Sequence, residues 1–392
     1  MRQHPLRILL TLLACLSACA SDSSPTSQED SYSYQYQLPE VTQDGWETAS
    51  LADVGLAEAP LVRLMNDLHE MEGHRIHSVV VVRDDKLVFE EYFDGQKYNL
   101  AQPTGEYGFD RDDTHNMASV TKSITTTLVG MAIDQGYIES VQDRVFDYFP
   151  EHADLVAEDP RRGEMTIEDL LLMTSGITFN DEDIPYSSPD NDLVQMFTVD
   201  DPMRYALSRE LYIAPGEVFD YCNANTNILG DIVGRATGQR LDHFAHQNLM
   251  TPLGITNYEW QMMPNQVVFA SGDLRLRPRD MAKIGLLFLR MGMWEGEQVV
   301  SREWVEVATS RLVLPTGPHD WGDGYGYGWW HLDIPSGGRV HPIYTASGWG
   351  GQWITVIPEH DIVFVTTGGN FYTSTLMPGE RILSDYLLPA IQ

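Results

Sequence analysis

Residues 352–358 read QWITVIP and residues 362–367 read IVFVTT, with Glu359-His360-Asp361 between them. Two short apolar runs rich in β-branched residues, split by a few polar ones, specify a β-hairpin. The pattern recurs near the other end of the chain, where 78–83 (SVVVVR) and 87–93 (LVFEEYF) flank Asp84-Asp85-Lys86. Between these hairpins the periodicity is mostly helical. Thr166-Ile167-Glu168-Asp169 fits a capping box ahead of 170–173, with Gly176 as a helix stop. Residues 225–236 carry Ile228, Leu229, Ile232 and Val233 on one face before Gly238, and 279–290 (RDMAKIGLLFLR) is amphipathic. A further helix is expected over 379–390. Strands at both ends with helices between them predict an α+β fold, in which one antiparallel sheet is built from both chain ends around a helical insertion.

The chain has 392 residues and a formal net charge of −32, with 43% apolar residues, the composition of a protein with a real core. Such a charge excludes nucleic acid as a partner and excludes electrostatic docking on anionic lipid. At the N-terminus, Arg2 and Arg7 precede an apolar run over 8–16 that is too brief to span a bilayer. Leu16-Ser17-Ala18-Cys19 follows and resembles a bacterial lipoprotein signal, which implies cleavage after residue 18 and lipidation of Cys19. The alternative is an ordinary cleaved secretory signal with Cys19 incidental. Ala20 after the cysteine favours the outer membrane of a Gram-negative cell, facing the periplasm, with the lipid as the only membrane contact. Residues 19–50, rich in Ser, Asp, Glu, Gln and Tyr, read as a flexible tether. Of the three cysteines, Cys222 alone remains for the folded part, so no internal disulfide is expected. No cluster has zinc spacing, and neither a metal nor a cofactor is expected.

Three constellations could carry chemistry. Ser119-Val120-Thr121-Lys122 opens a helix that runs to Gly136, so Lys122 returns to the face of Ser119 one turn later. A serine hydroxyl needs a base, and a lysine serves only when desolvation or a neighbouring positive field keeps it partly neutral. A capping serine with a solvated lysine is the bland alternative. Tyr221-Cys222-Asn223 opens the second helix; a phenol can share in proton relay, and an asparagine can orient the lysine or bind a substrate amide. Cys222 reads as a small core residue. Ala346-Ser347-Gly348-Trp349-Gly350-Gly351 leads into the late hairpin, where glycines let backbone N–H groups approach a ligand closely. A β-bulge with a packed Trp349 fits that stretch equally well.

In this order and spacing the three motifs resemble the serine β-lactamase and penicillin-binding superfamily, above all its class C-like branch with the family VIII carboxylesterases and 6-aminohexanoate-dimer hydrolases. HSVVVVRDDKLVFEEYF, TIEDLLLMTSGI and APGEVFDYCNANTNILGDIVGRATG extend the resemblance, which runs from His77 to the C-terminus. It implies a β-lactamase/transpeptidase-like fold over 51–392, with 51–140 and 290–392 forming the sheet part and 141–289 the helical part, and the site in the cleft between them. It also implies Ser119 as acylated nucleophile, Lys122 as base or proton shuttle, and Tyr221 as second acid/base. Asn223, Ser347, Gly348 and Trp349 would contact substrate, the last through an oxyanion hole shared by the Ser119 and Trp349 amides. Where lactamases carry Lys-Thr-Gly, this chain has Ala346-Ser347-Gly348. The missing cation would hold a substrate carboxylate, so the resemblance implies an ester or linear-amide hydrolase acting on a small molecule through an acyl-enzyme. β-Lactamase or D-alanyl peptidase activity is one alternative, and a catalytically silent envelope lipoprotein binding a cell-wall or amide ligand is another.

Residues 179–192 (FNDEDIPYSSPDND) are expected to shape the cleft entrance as a solvated loop, and Trp329, Trp330 and Trp349 to form its wall. His69-Glu70 with His74 imitates a zinc peptidase signature, but its histidines are five apart and would not share a helix face. No Gly-x-Ser-x-Gly elbow occurs.

Overall fold

The computed structural model describes residues 32–99, 102–316, 321–373 and 376–392. The signal segment, Cys19 and the first part of the tether lie outside the described residues. Residues from Tyr34 to Gln392 form one compact unit.

Its centre is an eight-stranded sheet. The strands are β1 (Glu47–Thr48), β2 (Ile76–Arg83), β3 (Lys86–Tyr92), β4 (Gly324–Tyr325), β5 (Trp330–Ser336), β6 (Arg339–Gly348), β7 (Gln352–Ile357) and β8 (Ile362–Gly368). Their spatial order is β1-β3-β2-β8-β7-β6-β5-β4, and every pair is antiparallel except β1 with β3. The pairing of β8 with β2 joins the late hairpin to the early one, so the two chain ends do share a sheet.

The sheet is covered on both faces, which explains why its strands are apolar at successive positions instead of alternating with polar residues. Val80 and Val82 of β2, Ile354 and Val356 of β7, and Val363 and Val365 of β8 enter one core. Their neighbours Val79, Val81, Trp353, Ile357, Ile362 and Phe364 enter the other. Helix α1 (Glu58–Glu70) covers the second face through Leu61, Leu64, Met65 and Leu68, together with a helical segment over 379–390 in which a π turn (Leu383–Leu387) joins two short α pieces. The first face receives α2 (Val120–Asp134) and, later in the chain, α5 (Pro278–Leu289). At Gly285 of α5 an added Cβ would overlap the Val363 side chain, so glycine sets how closely that helix lies on the sheet.

The helical insertion includes α3 (Ile167–Leu171) and α4 (Asn223–Thr237), which packs on α2. The capping box at Thr166 and Asp169 forms as expected. The chain leaves α3 through Met173 in the left-handed region (φ +57°), not through Gly176. Gly176 is instead required by packing, since a side chain there would overlap Ile213 O.

The expected tether is shorter than its composition indicates. Residues 34–50 lie along the body. Arg279 accounts for much of this: its guanidinium reaches Asp44 (2.8 Å), Thr42 (2.9 Å), Glu40 O (2.9 Å) and Glu90 (2.5 and 2.7 Å). Trp46 is buried and donates to Arg279 O at 3.1 Å. A further hairpin, Asp94–Asn99 with Gln102–Gly108, has no alternation of apolar residues and went unread in the sequence.

Candidate active site

The position of Ser119 is set by local backbone geometry. Met117 N–H donates to Leu274 O (2.9 Å), and Ala118 N–H donates to Asn116 Oδ1 (2.7 Å). Ala118 is held at φ +45°, a conformation costly for a residue with a Cβ. This tight turn delivers Ser119 as N-cap of α2, whose positions from Val120 to Ala132 are all buried. Lys122, one turn on, is 1% exposed. Its Nζ donates to Ser119 Oγ (2.9 Å), Asn223 Oδ1 (2.6 Å) and Ser271 O (2.9 Å). All three acceptors are neutral, and Lys122 forms no ion pair among the described residues. Burial pushes its amine down to about 8, although Glu182, Asp181 and Cys222 oppose the shift.

Tyr221 and Asn223 arrive from the start of α4. Tyr221 lines the same cavity as Ser119, its ring centroid is 5.0 Å from Lys122 Nζ, and burial holds its pKa well above the ordinary value. Cys222 is buried among core residues, and burial raises its thiol well above the usual range, as a core cysteine requires. From the opposite wall, β6 ends at Gly348 directly beside the turn that carries Ser119. A Cβ on Gly348 would overlap Met117 O and stand 3.1 Å from both Ser119 N and Val120 N. Ser347, Gly348 and Trp349 line a cavity of about 470 Å³ with Ser119 and Tyr221. A second cavity of about 250 Å³ also reaches Ser119 and is lined by Asn223, Ser271 and Phe269. The structure therefore brings together all seven residues that the motifs single out at the cleft.

Two expectations are corrected. Residues 179–192 do not form a uniformly solvated loop. Asp181 is 1% exposed and accepts from Asn223 Nδ2 (2.6 Å) and Asn223 N (3.2 Å), while Asp192 is buried and accepts from Asn180 N (2.7 Å) and Tyr205 OH (2.5 Å). Burial and the Glu182 charge raise the Asp181 pKa, and its Oδ1 has no partner. The cleft wall also differs. Trp330 and Trp349 line the large cavity, but Trp329 is fully buried against Phe288 and Tyr344, and Trp321 occupies the wall instead. Adjacent residues of an extended chain point to opposite sides, so Trp329 and Trp330 cannot both face the cleft.

Asp181, Tyr186, Ser271 and Trp321 belong to the site but carry no motif. Asp181 lies in an acidic run that composition assigns to solvent. Ser271 contributes only a backbone carbonyl, for which any residue type would serve.

An antiparallel sheet flanked by helices, with a serine heading a buried helix at its edge, is the β-lactamase/transpeptidase architecture. Among solved structures, this chain superposes on an octameric penicillin-binding protein homologue from Pyrococcus abyssi with a TM-score of 0.59 (21% identity, covering 80% of this chain and 74% of that one). It superposes on a class C beta-lactamase with a TM-score of 0.60 (15% identity, covering 86% and 96%). The chain belongs to the beta-lactamase family, whose model matches residues 62–375. A 6-aminohexanoate-dimer hydrolase of Paenarthrobacter ureafaciens is 31% identical over 214 residues, 51% of this chain and 51% of that protein. The chain thus spans about half the length of that curated relative. Both the family and the fold that the motifs resemble are borne out.

Proposed function

We propose that this protein is a serine hydrolase that cleaves a small ester or linear amide through an acyl-enzyme on Ser119. One observation carries the reading: a buried amine that forms no ion pair among the described residues stands 2.9 Å from a serine hydroxyl. In its neutral form Lys122 Nζ takes the proton as Ser119 Oγ bonds to the carbonyl carbon. The tetrahedral intermediate then expels the alcohol or amine, which receives a proton through Tyr221 from the Lys122 ammonium. Water attacks the acyl-enzyme by the reverse route, releasing the acid and restoring the serine. The close approach of Gly348 to the Ser119 amide supports an oxyanion hole formed by the amides of Ser119 and Trp349.

The cavity linings support a substrate without a carboxylate near the scissile bond. Among the described residues, no Lys, Arg or His lines either cavity, whereas Glu182 and Asp183 line the larger one. Ala346, at the place of the lactamase motif's cation, is buried in the core. Similarity to a 6-aminohexanoate-dimer hydrolase agrees with a linear amide bearing an amino group. A panel of p-nitrophenyl esters, linear aminoacyl amides and a chromogenic cephalosporin tests this. Turnover of esters or amides with an inert cephalosporin is expected. Efficient cephalosporin turnover would make the protein a β-lactamase, and no turnover or acylation by a folded sample would leave a ligand-binding lipoprotein.

We also propose that residues 1–18 are removed and Cys19 is lipidated, placing the enzyme on the outer membrane facing the periplasm. The intact mass of protein extracted from membranes should show an acylated N-terminus at Cys19. A mature N-terminus elsewhere excludes the anchor.

A further inference from the structure

At the end of β6 remote from the cleft, three side chains converge that play no part in the proposed reaction. His341 lies near the start of β6, and Glu359 and His360 form the turn between β7 and β8. His341 Nδ1 is 3.0 Å from His360 Nε2, and Glu359 Oε2 is 3.7 Å from the first and 3.8 Å from the second. Ligands about 2.1 Å from a tetrahedral zinc ion stand about 3.4 Å from one another, and these three distances bracket that value. The histidine side chains are 9% and 12% exposed, so the donors sit in a niche open on the Glu359 side.

The neighbouring charges fit as well. Glu359 Oε1 is engaged by Arg339, which leaves Oε2 turned toward the histidines; a hydrogen-bonded carboxylate of this kind is typical of a metal ligand. The sequence could not show the cluster, because 17 residues lie between His341 and Glu359 and no short ligand motif links them.

We propose that His341, Glu359 and His360 bind one zinc ion, with water completing a tetrahedron, and that the ion pins the β7–β8 turn to the start of β6. Two imidazoles and one carboxylate suit zinc among the divalent metals. His341 precedes Ser347 by six residues on an extended strand, about 20 Å, so the ion is remote from the cleft and structural.

The test uses the full chain stripped with EDTA and titrated with zinc chloride by calorimetry, with ester hydrolysis followed in parallel. The expected result is one equivalent bound, weakened at least tenfold in H360Q and in E359Q, with hydrolysis unchanged by EDTA. Both substitutions lie on a surface turn, and circular dichroism verifies that the variants fold. Absence of stoichiometric binding by the wild type, or a loss of less than tenfold in H360Q, would overturn the proposal. Zinc binding that competes with hydrolysis and survives H360Q would place the ion elsewhere and overturn it equally.

Discussion

Lys122 under the cleft and Lys283 on α5 are each 1% exposed, yet their surroundings differ in one respect. Lys283 Nζ donates to Leu253 O at 3.0 Å and stands 3.4 Å from the carboxylate of Asp280. Among the described residues, Lys122 has only a hydroxyl, an amide oxygen and a backbone carbonyl within hydrogen-bonding distance. A carboxylate partner offsets desolvation and makes a buried ammonium part of the architecture. Neutral acceptors offset it only partly, and the amine becomes able to release its proton. Burial alone therefore does not distinguish the two lysines; the lack of a paired carboxylate among the described residues, beside a hydroxyl, does.

The largest expected effect separates the two lysines by function. Lys122→Ala should lower kcat/KM for a p-nitrophenyl ester about 1,000-fold, or about 4 kcal/mol, with the protein still folded. Lys283→Met should leave kcat/KM within a few-fold but cost about 3 kcal/mol in urea unfolding, because Asp280 loses a buried partner and retains only Arg277. If the two substitutions gave the same pattern, the contrast would fail.

Gly348→Ala probes the opposite wall. Because its Cβ would overlap Met117 O, the strand must move away from the Ser119 amide, and kcat should fall about 100-fold with a smaller change in KM.

The pH profile sharpens the comparison further. The active form carries neutral Lys122, so kcat/KM should rise with pH, pass its midpoint near 8 and level off above it. Asp181→Asn removes a negative charge that favours the Lys122 ammonium, so the midpoint should move to lower pH. The same variant loosens Asn223 and should reduce kcat about tenfold. A midpoint shifted upward would show that Asp181 does not act on the lysine electrostatically.

The smallest effect concerns the thiol beside them. Cys222→Ala should keep activity within about twofold and cost about 1 kcal/mol of stability, as for a small core truncation.

The sheet was legible because its paired runs of apolar, β-branched residues stand apart from the helical middle, and the pairing of Ser119 with Lys122 because a helix brings positions three apart onto one face. What escaped the sequence depends on distant partners. Residues 34–50 are held by Arg279, which lies more than two hundred positions later in the chain. Asp181 is indistinguishable from its solvated neighbours until α4 places Asn223 above it. Trp329 and Trp330 are equivalent as composition, and only the phase of the strand assigns one to the core and the other to the cleft.

The most direct test is the rate of Ser119 labelling by a fluorophosphonate, measured by peptide mass spectrometry from pH 6 to 10 on wild type and Lys122→Ala. A neutral Lys122 acting as base predicts a single adduct on Ser119, a rate rising to a plateau around a midpoint near 8, and near-complete loss in the variant. An adduct elsewhere, or labelling of Ser119 that proceeds equally well without the lysine, would contradict it.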